Sequence, residues 1–193
     1  MKKYVIIAGV NGAGKSTLYQ SLCSLKNMDR VNTDEIVRET GCWKNPSDLM
    51  YAGMTAVRKI HKNFQKGISF NQETTLCGQS VIKNIGKAKS LGYVVEIHYV
   101  GVDSAGTAKE RVHNRVLKGG HGIPDVDIER RYKESFVQLG RIMDQADILA
   151  VYDNTESFRR FAIYRRGKLV KMSHKVPDWF TENVAAGDIK HST

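Results

Sequence analysis

Tyr4-Val5-Ile6-Ile7-Ala8 runs directly into Gly9-Val10-Asn11-Gly12-Ala13-Gly14-Lys15-Ser16, and a helical period begins at Lys15. The first five residues form a short apolar run rich in β-branched side chains, which reads as a buried strand. The next eight fit the spacing G-x4-G-K-S/T, in the strand-then-helix context which that spacing requires. Its chemistry is that of a phosphate cradle. Glycines let successive backbone N–H groups turn inward, and the following helix N-terminus adds partial positive charge. Lys15 reaches the terminal phosphates, and the Ser16 hydroxyl is offered to Mg²⁺. Gly9, Asn11, Gly12, Ala13, Gly14, Lys15, Ser16 and Thr17 are the expected nucleotide-binding set.

Such a loop identifies a nucleotide, not a reaction. No N-K-x-D base-recognition motif of GTPases and no L-S-G-G-Q signature is present. A hydrolytic ATPase would show a hydrophobic strand ending in Asp-Glu. The nearest case, Val31-Asn32-Thr33-Asp34-Glu35, has one apolar residue before the acids.

The 193 residues carry 30 Lys+Arg against 20 Asp+Glu, a formal charge of +10. This balance favours an anionic partner. The cations read as spread along the chain, without a block of five or six, which argues against a disordered nucleic-acid arm. Nucleic acid is therefore not an expected partner. No run approaches 18 apolar residues, so no membrane helix is expected. Cys23, Cys42 and Cys77 form no C-x-x-C pair and read as free, small buried hydrophobes in a reducing compartment. With no signal-peptide cleavage pattern, a cytoplasmic protein is expected.

Along the chain, strand and helix signals alternate. Strands are expected at Tyr4–Ala8, Asp29–Asn32, Ile68–Glu73, Tyr93–Val102 and Ile148–Tyr152. Helices are expected at Lys15–Leu25, Asp48–Lys66, Ser80–Leu91, Ala105–Leu117 and from Asp125 or Asp127, as cap, to about Gln145. A hairpin about Arg166-Gly167 follows, then a terminal helix or frayed end after Pro177. The pattern predicts an α/β fold of the P-loop NTPase/kinase group, a mainly parallel sheet flanked by helices, with the reaction left open. One domain is expected over 1–193, with a helical lid at about 108–135 and a tail at about 174–193.

In open α/β sheets, ligands gather at the carboxyl ends of strands. Asp34 follows the second strand, and Glu73, Thr74 and Thr75 follow the third. Asp34 is the candidate base for an acceptor hydroxyl; alternatively, Thr33 or Asp34 only caps the next helix. Glu73 stands between a site role and a surface or capping role. Arg111 and Arg115 share a helix face, and Arg130 and Arg131 lie beyond Gly119-Gly120-His121-Gly122-Ile123-Pro124. These arginines suit a lid closing over triphosphate, or else a salt-bridged pair of helices with Asp127, Glu129 and Glu134. His121 reads as a solvated loop residue, and no His/Cys metal spacing is present.

Taken together, Gly9–Thr17, Val31–Glu35, Phe70-Asn71-Gln72-Glu73-Thr74-Thr75-Leu76, Arg111–Tyr132 and Tyr152-Asp153-Asn154-Thr155 resemble the zeta toxin family of P-loop kinases. The resemblance implies transfer of phosphate from ATP or GTP to the 3′-hydroxyl of UDP-N-acetylglucosamine. It implies Lys15 and Ser16 on phosphates and Mg²⁺, Asp34 as base, and Glu73 and Thr75 facing the sugar nucleotide. One of Arg111/Arg115 and one of Arg130/Arg131 would hold the γ-phosphate, with Arg115 and Arg130 counted as catalytic and Arg111 and Arg131 as nucleotide-binding. It also implies a small helical antitoxin as a partner. At the position where the family carries an arginine, two residues past the Glu-x-Thr segment, this chain has Cys77. It is also shorter than the better-known toxins.

Overall fold

The computed structural model describes residues 1–185; the part of the expected tail from 186 to 193 lies outside the described residues. In chain order come β1 (Lys3–Ala8), α1 (Lys15–Ser21), β2 (Asp29–Val31), α2 (Thr33–Thr40), α3 (Pro46–Lys66), β3 (Phe70–Thr74) and α4 (Ser80–Ser90). Then follow β4 (Val94–Gly101), α5 (Ala105–Leu117), α6 (Asp125–Ile142), β5 (Ile148–Asp153), β6 (Arg159–Arg165), β7 (Lys168–Met172) and the short α7 (Asp178–Phe180). A last turn over Thr181–Ala185 completes the described tail.

The seven strands form one sheet in the order β2-β3-β1-β4-β5-β6-β7. Strands β1 to β5 are parallel, and β6 and β7 join antiparallel as the expected hairpin. Strand β1 is central and chain order reverses around it, so its carboxyl end opens on a crevice. Its side chains alternate. Tyr4, Ile6 and Ala8 pack in the core under α3, α4 and α6, whereas Val5 and Ile7 pack with Leu18 of α1 and Ala108 and Val112 of α5. This is the mainly parallel sheet with helices on both faces that the alternation of signals predicts.

Local chemistry sets the helix ends. The Asn45 side chain accepts from Ser47 N–H, Pro46 occupies the first turn, and Gly67 closes α3 with φ 65°. On α6 the expectation of an aspartate cap fails. Pro124 holds the cap position with no side-chain bond. Asp125 meets His113 at 2.9 Å, and Asp127 meets Arg130 at 2.8 Å. Helix α1 ends at Ser21 and a single 3-10 turn carries the chain through Cys23–Leu25.

Two compositional expectations are also corrected. Cys23 and Cys42 are exposed and Cys77 is half-buried, so the three free thiols do not behave as core hydrophobes. Nor are the cations evenly spread. Seven of them fall between Arg159 and Lys175, with no acid among them. Strand β7 is exposed along its whole length. Lys168 and Lys171 on this edge, with a break in register between Ile163 and Tyr164, are devices that discourage pairing with another sheet.

Candidate active site

The loop after β1 is shaped by close backbone approach. Gly9 has φ 139°, and a Cβ there would lie 2.2 Å from the Val100 carbonyl oxygen. Any other residue would therefore push β1 from β4. Lys15 is buried, and its Nζ donates to the Val10 carbonyl at 3.1 Å across the loop. Burial lowers the Lys15 pKa, opposed by the charges of Glu73 and Asp34. An anion placed in the loop would offset the cost of holding that ammonium group charged.

Behind the loop, Glu73 is a hub. Its carboxylate accepts from Ser16 Oγ at 3.2 Å, Asn32 Nδ2 at 3.1 Å and Arg30 Nη2 at 2.6 Å. Its side chain is 9% exposed, so it is not a surface residue. Arg30 lies 3.5 Å over the Tyr19 ring and also donates to Glu35 at 2.8 Å. Sequence reasoning missed Arg30, because its partners lie up to 43 residues away.

The Asn32 side chain, not Thr33 or Asp34, caps α2 by accepting from Asp34 N–H at 2.8 Å. The Asp34 carboxylate is thereby left for the cleft, where it meets His121 Nε2 at 3.6 Å. His121 is folded in rather than solvated. Its ring stacks on Trp43 with centroids 3.5 Å apart and planes 6° off parallel. Arg115 Nε donates to the His121 carbonyl at 3.1 Å, and its Nη2 lies 3.3 Å from the ring nitrogen. Burial pushes the His121 pKa down, opposed by Asp34 and reinforced by Arg115. Trp43, in the link between α2 and α3, carries no sequence signal of its own.

The four arginines divide. Arg131 Nη1 donates to Asn11 Oδ1 at 3.0 Å and so touches the loop. Arg115 holds His121. Arg111 Nη2 donates to the Thr155 carbonyl at 2.8 Å, and its buried Nη1 has no hydrogen-bond partner. Arg130 is exposed and held by Asp127 at 2.8 Å and Glu134 at 3.0 Å. Among the four, Arg130 is the one whose guanidinium is tied to carboxylates of its own helix.

The late Asp-Asn segment reaches back to the loop. Asn154 Nδ2 donates to Ala13 O at 2.9 Å, and Asp153 accepts from the buried Trp179 Nε1 at 3.1 Å. Thr75 precedes Leu76, a buried residue held at φ 60°, a left-handed strain of about 1 kcal/mol that turns this segment along the cleft.

These pieces enclose a cleft of about 730 Å³. Asn11, Lys15, Asp34, Glu73 and Arg131 line its upper end, and α3 supplies an apolar wall. Thr75 lines it too; Arg111 and Arg115 instead border a separate cationic recess with Lys118. Among the described residues no His/Cys/Asp/Glu group could hold a metal by itself. The hydroxyl of Ser16 beside the Glu73 carboxylate is an oxygen-donor pair of the type Mg²⁺ takes. No helix among the described residues is long and apolar enough to cross a membrane.

This strand–loop–helix cradle on a 2-3-1-4-5 parallel sheet defines a P-loop fold of the kinase type. A family model described as an AAA domain matches residues 5–136, and the chain belongs to that family. An uncharacterized protein of Haemophilus influenzae is 32% identical over 138 residues, which are 67% of this chain and 92% of that protein. Crystal structures of the AvrRxo1-ORF1:AvrRxo1-ORF2 complex, one of them with ATP, share the fold at TM-score 0.71 and 14% identity. The match covers all of this chain and 66% of that one, so this chain spans just under two thirds of its length. The PezAT toxin-antitoxin system of Streptococcus pneumoniae is similar at TM-score 0.62 and 14% identity, over 98% and 86% of the two chains. A putative kinase of Chloroflexus aurantiacus is similar at TM-score 0.53 and 18% identity, over 68% of this chain and 78% of that one.

Proposed function

We propose that the protein is a phosphotransferase that moves the γ-phosphate of ATP or GTP onto a hydroxyl of a small molecule. The observation that carries this reading is the convergence of Lys15, Asp34, Glu73 and Arg131 on one cleft with an apolar side wall. A hydrolase would need only the phosphate end. A cleft that continues past it is room for an acceptor.

In this reading the loop amides and Lys15 hold the β- and γ-phosphates, and Arg131, with Arg115 once it leaves His121, bears on the γ-phosphate. Arg111, whose buried Nη1 has no hydrogen-bond partner, would serve the nucleotide. Mg²⁺ on Ser16 would draw charge from the β- and γ-oxygens. Asp34 takes the acceptor proton while its oxygen bonds to phosphorus, and the nucleoside diphosphate leaves with the bridging oxygen. Glu73 and Thr75 face the acceptor. The zeta-toxin resemblance supports a sugar nucleotide such as UDP-N-acetylglucosamine as that acceptor, and a small helical antitoxin as a partner. The two-protein PezAT and AvrRxo1 assemblies favour the latter. A cytoplasmic setting belongs to the same reading.

The test is turnover with ATP and Mg²⁺ by the chain and by Lys15→Ala, reading nucleoside diphosphate release and product mass. Loss of charge stabilisation should cost about 3 kcal/mol, or ~10² in rate. Full activity in a folded Lys15→Ala protein would falsify phosphoryl transfer at this loop.

A further inference from the structure

The lower half of the cleft differs in chemistry from its phosphate end. Three lysines or arginines line the cleft, Lys15 on the loop and Arg130 and Arg131 on α6. Arg130 is already paired, and Arg131 already serves Asn11. Away from these cations the lining includes Gln72, Ser80 and Asn84, with Gly53, Ala56, Val57 and Ile60 of α3; Cys77 stands at the boundary, its Sγ 3.7 Å from the Arg131 carbonyl oxygen. Two amides at the floor are fixed in orientation. The Tyr4 hydroxyl donates to Gln72 Oε1, and Asn84 shares a hydrogen bond with the same hydroxyl. On the opposite wall nothing lies within 4 Å of where a Cβ on Gly53 would be, so the wall is hollow there. Burial raises the Cys77 pKa and keeps that thiol uncharged at neutral pH.

A phosphate or diphosphate lowered among Gln72, Ser80 and Asn84 would lose its hydration against side chains that carry no charge. An uncharged ring with hydroxyls or ring heteroatoms would instead lay its apolar face on α3 and its polar edge on Gln72, Ser80 and Asn84. We infer that the acceptor is an uncharged alcohol, a sugar or a nucleoside that carries no phosphate of its own. The inference rests on the phosphotransferase reading and narrows its acceptor, turning it away from a sugar nucleotide.

Two matched series test it with the full chain, ATP and Mg²⁺. One is N-acetylglucosamine, its 1-phosphate and UDP-N-acetylglucosamine; the other is uridine and UMP. ADP release and product mass give kcat/KM, and calorimetry gives binding in the presence of a non-hydrolysable ATP analogue. The expected result is a kcat/KM at least tenfold higher for the unphosphorylated member of one series, and the responding series tells sugar from nucleoside. A smaller ratio, or one favouring a phosphorylated member, overturns the inference. So does failure of both unphosphorylated compounds to bind while ATP binds. Failure of ATP itself to bind removes the phosphotransferase reading and this inference with it. Cys77→Arg, with Asn84→Lys as a second variant, should move the ratio tenfold or more toward the phosphorylated acceptor. An unchanged ratio in both folded variants shows that missing charge is not what selects.

Discussion

A largely enclosed arginine organises the acidic side of the cleft. Arg30 is 10% exposed and holds Glu73 at 2.6 Å while stacking on Tyr19. Removing one partner of such a pair leaves the other desolvated and alone, at about 3 kcal/mol. Arg30→Met should therefore lower the denaturation midpoint by several degrees, and Arg30→Lys should not rescue it, because an ammonium cannot serve Glu35, Asn71 and Glu73 in one plane. Thermal unfolding of the two variants checks this. The two acids of the cleft should separate in kinetics. Asp34→Asn should lower kcat by about 10²–10⁴ with nucleotide affinity nearly intact. Glu73→Gln should chiefly raise KM for the acceptor. If Asp34→Asn keeps near-normal kcat while Glu73→Gln loses it, the base is Glu73.

At the scale of elements, the Gly119–Pro124 loop is fastened to the α2–α3 link by the stack of His121 on Trp43. Aromatic stacking of this kind contributes about 1 kcal/mol. Trp43→Ala should raise amide exchange across 119–124 and leave the sheet unchanged, as read by mass spectrometry. The fastening is also pH-dependent. The folded-state pKa of His121 is pushed below its ordinary 6.5 by burial, so the unfolded chain takes the proton first. The stack is at full strength above about pH 6.5 and weakens as pH falls through the lowered value. Exchange corrected for intrinsic rates should rise over that window. What the sequence discloses here follows from range. The strand and loop of residues 4 to 16 and the Gly67 end of α3 are written in neighbours and were legible, whereas α1 stops at Ser21, short of the expected Leu25, and α3 starts at Pro46, ahead of the expected Asp48. Trp43 and His121 are 78 positions apart, and neither residue carries a periodic or spacing signal. Asp125 looks like a cap in one dimension, but Pro124 supplies the cap position and His113 claims the carboxylate.

For the whole molecule, acid should also act at the foot of the sheet. Glu96 on β4 accepts from the His98 ring at 3.0 Å and faces Lys3 at 3.3 Å. The His98 hydrogen bond, aided by the charges of His98 and Lys3, holds the Glu96 pKa down to about 2 against burial. A depressed carboxylate stabilises fully above its ordinary range near 4.5 and loses that contribution as pH falls toward 2. After discount for solvent screening, this is about 2 kcal/mol. Glu96→Gln should flatten the acid limb of stability between those values, measured by urea midpoints. A different consequence follows from the bond between Trp179 and Asp153, next to the Asn154 that braces Ala13. In order of synthesis, the phosphate loop is made well before its brace, with 141 positions between Ala13 and Asn154. Domains gain structure as they emerge from the ribosome, yet this loop lacks its rear support until Trp179 is free of the exit tunnel. Capacity for nucleotide should thus arise late in biogenesis. A stalled nascent chain exposing residues only to about 150 should not retain ATP, whereas one exposing residue 185 should.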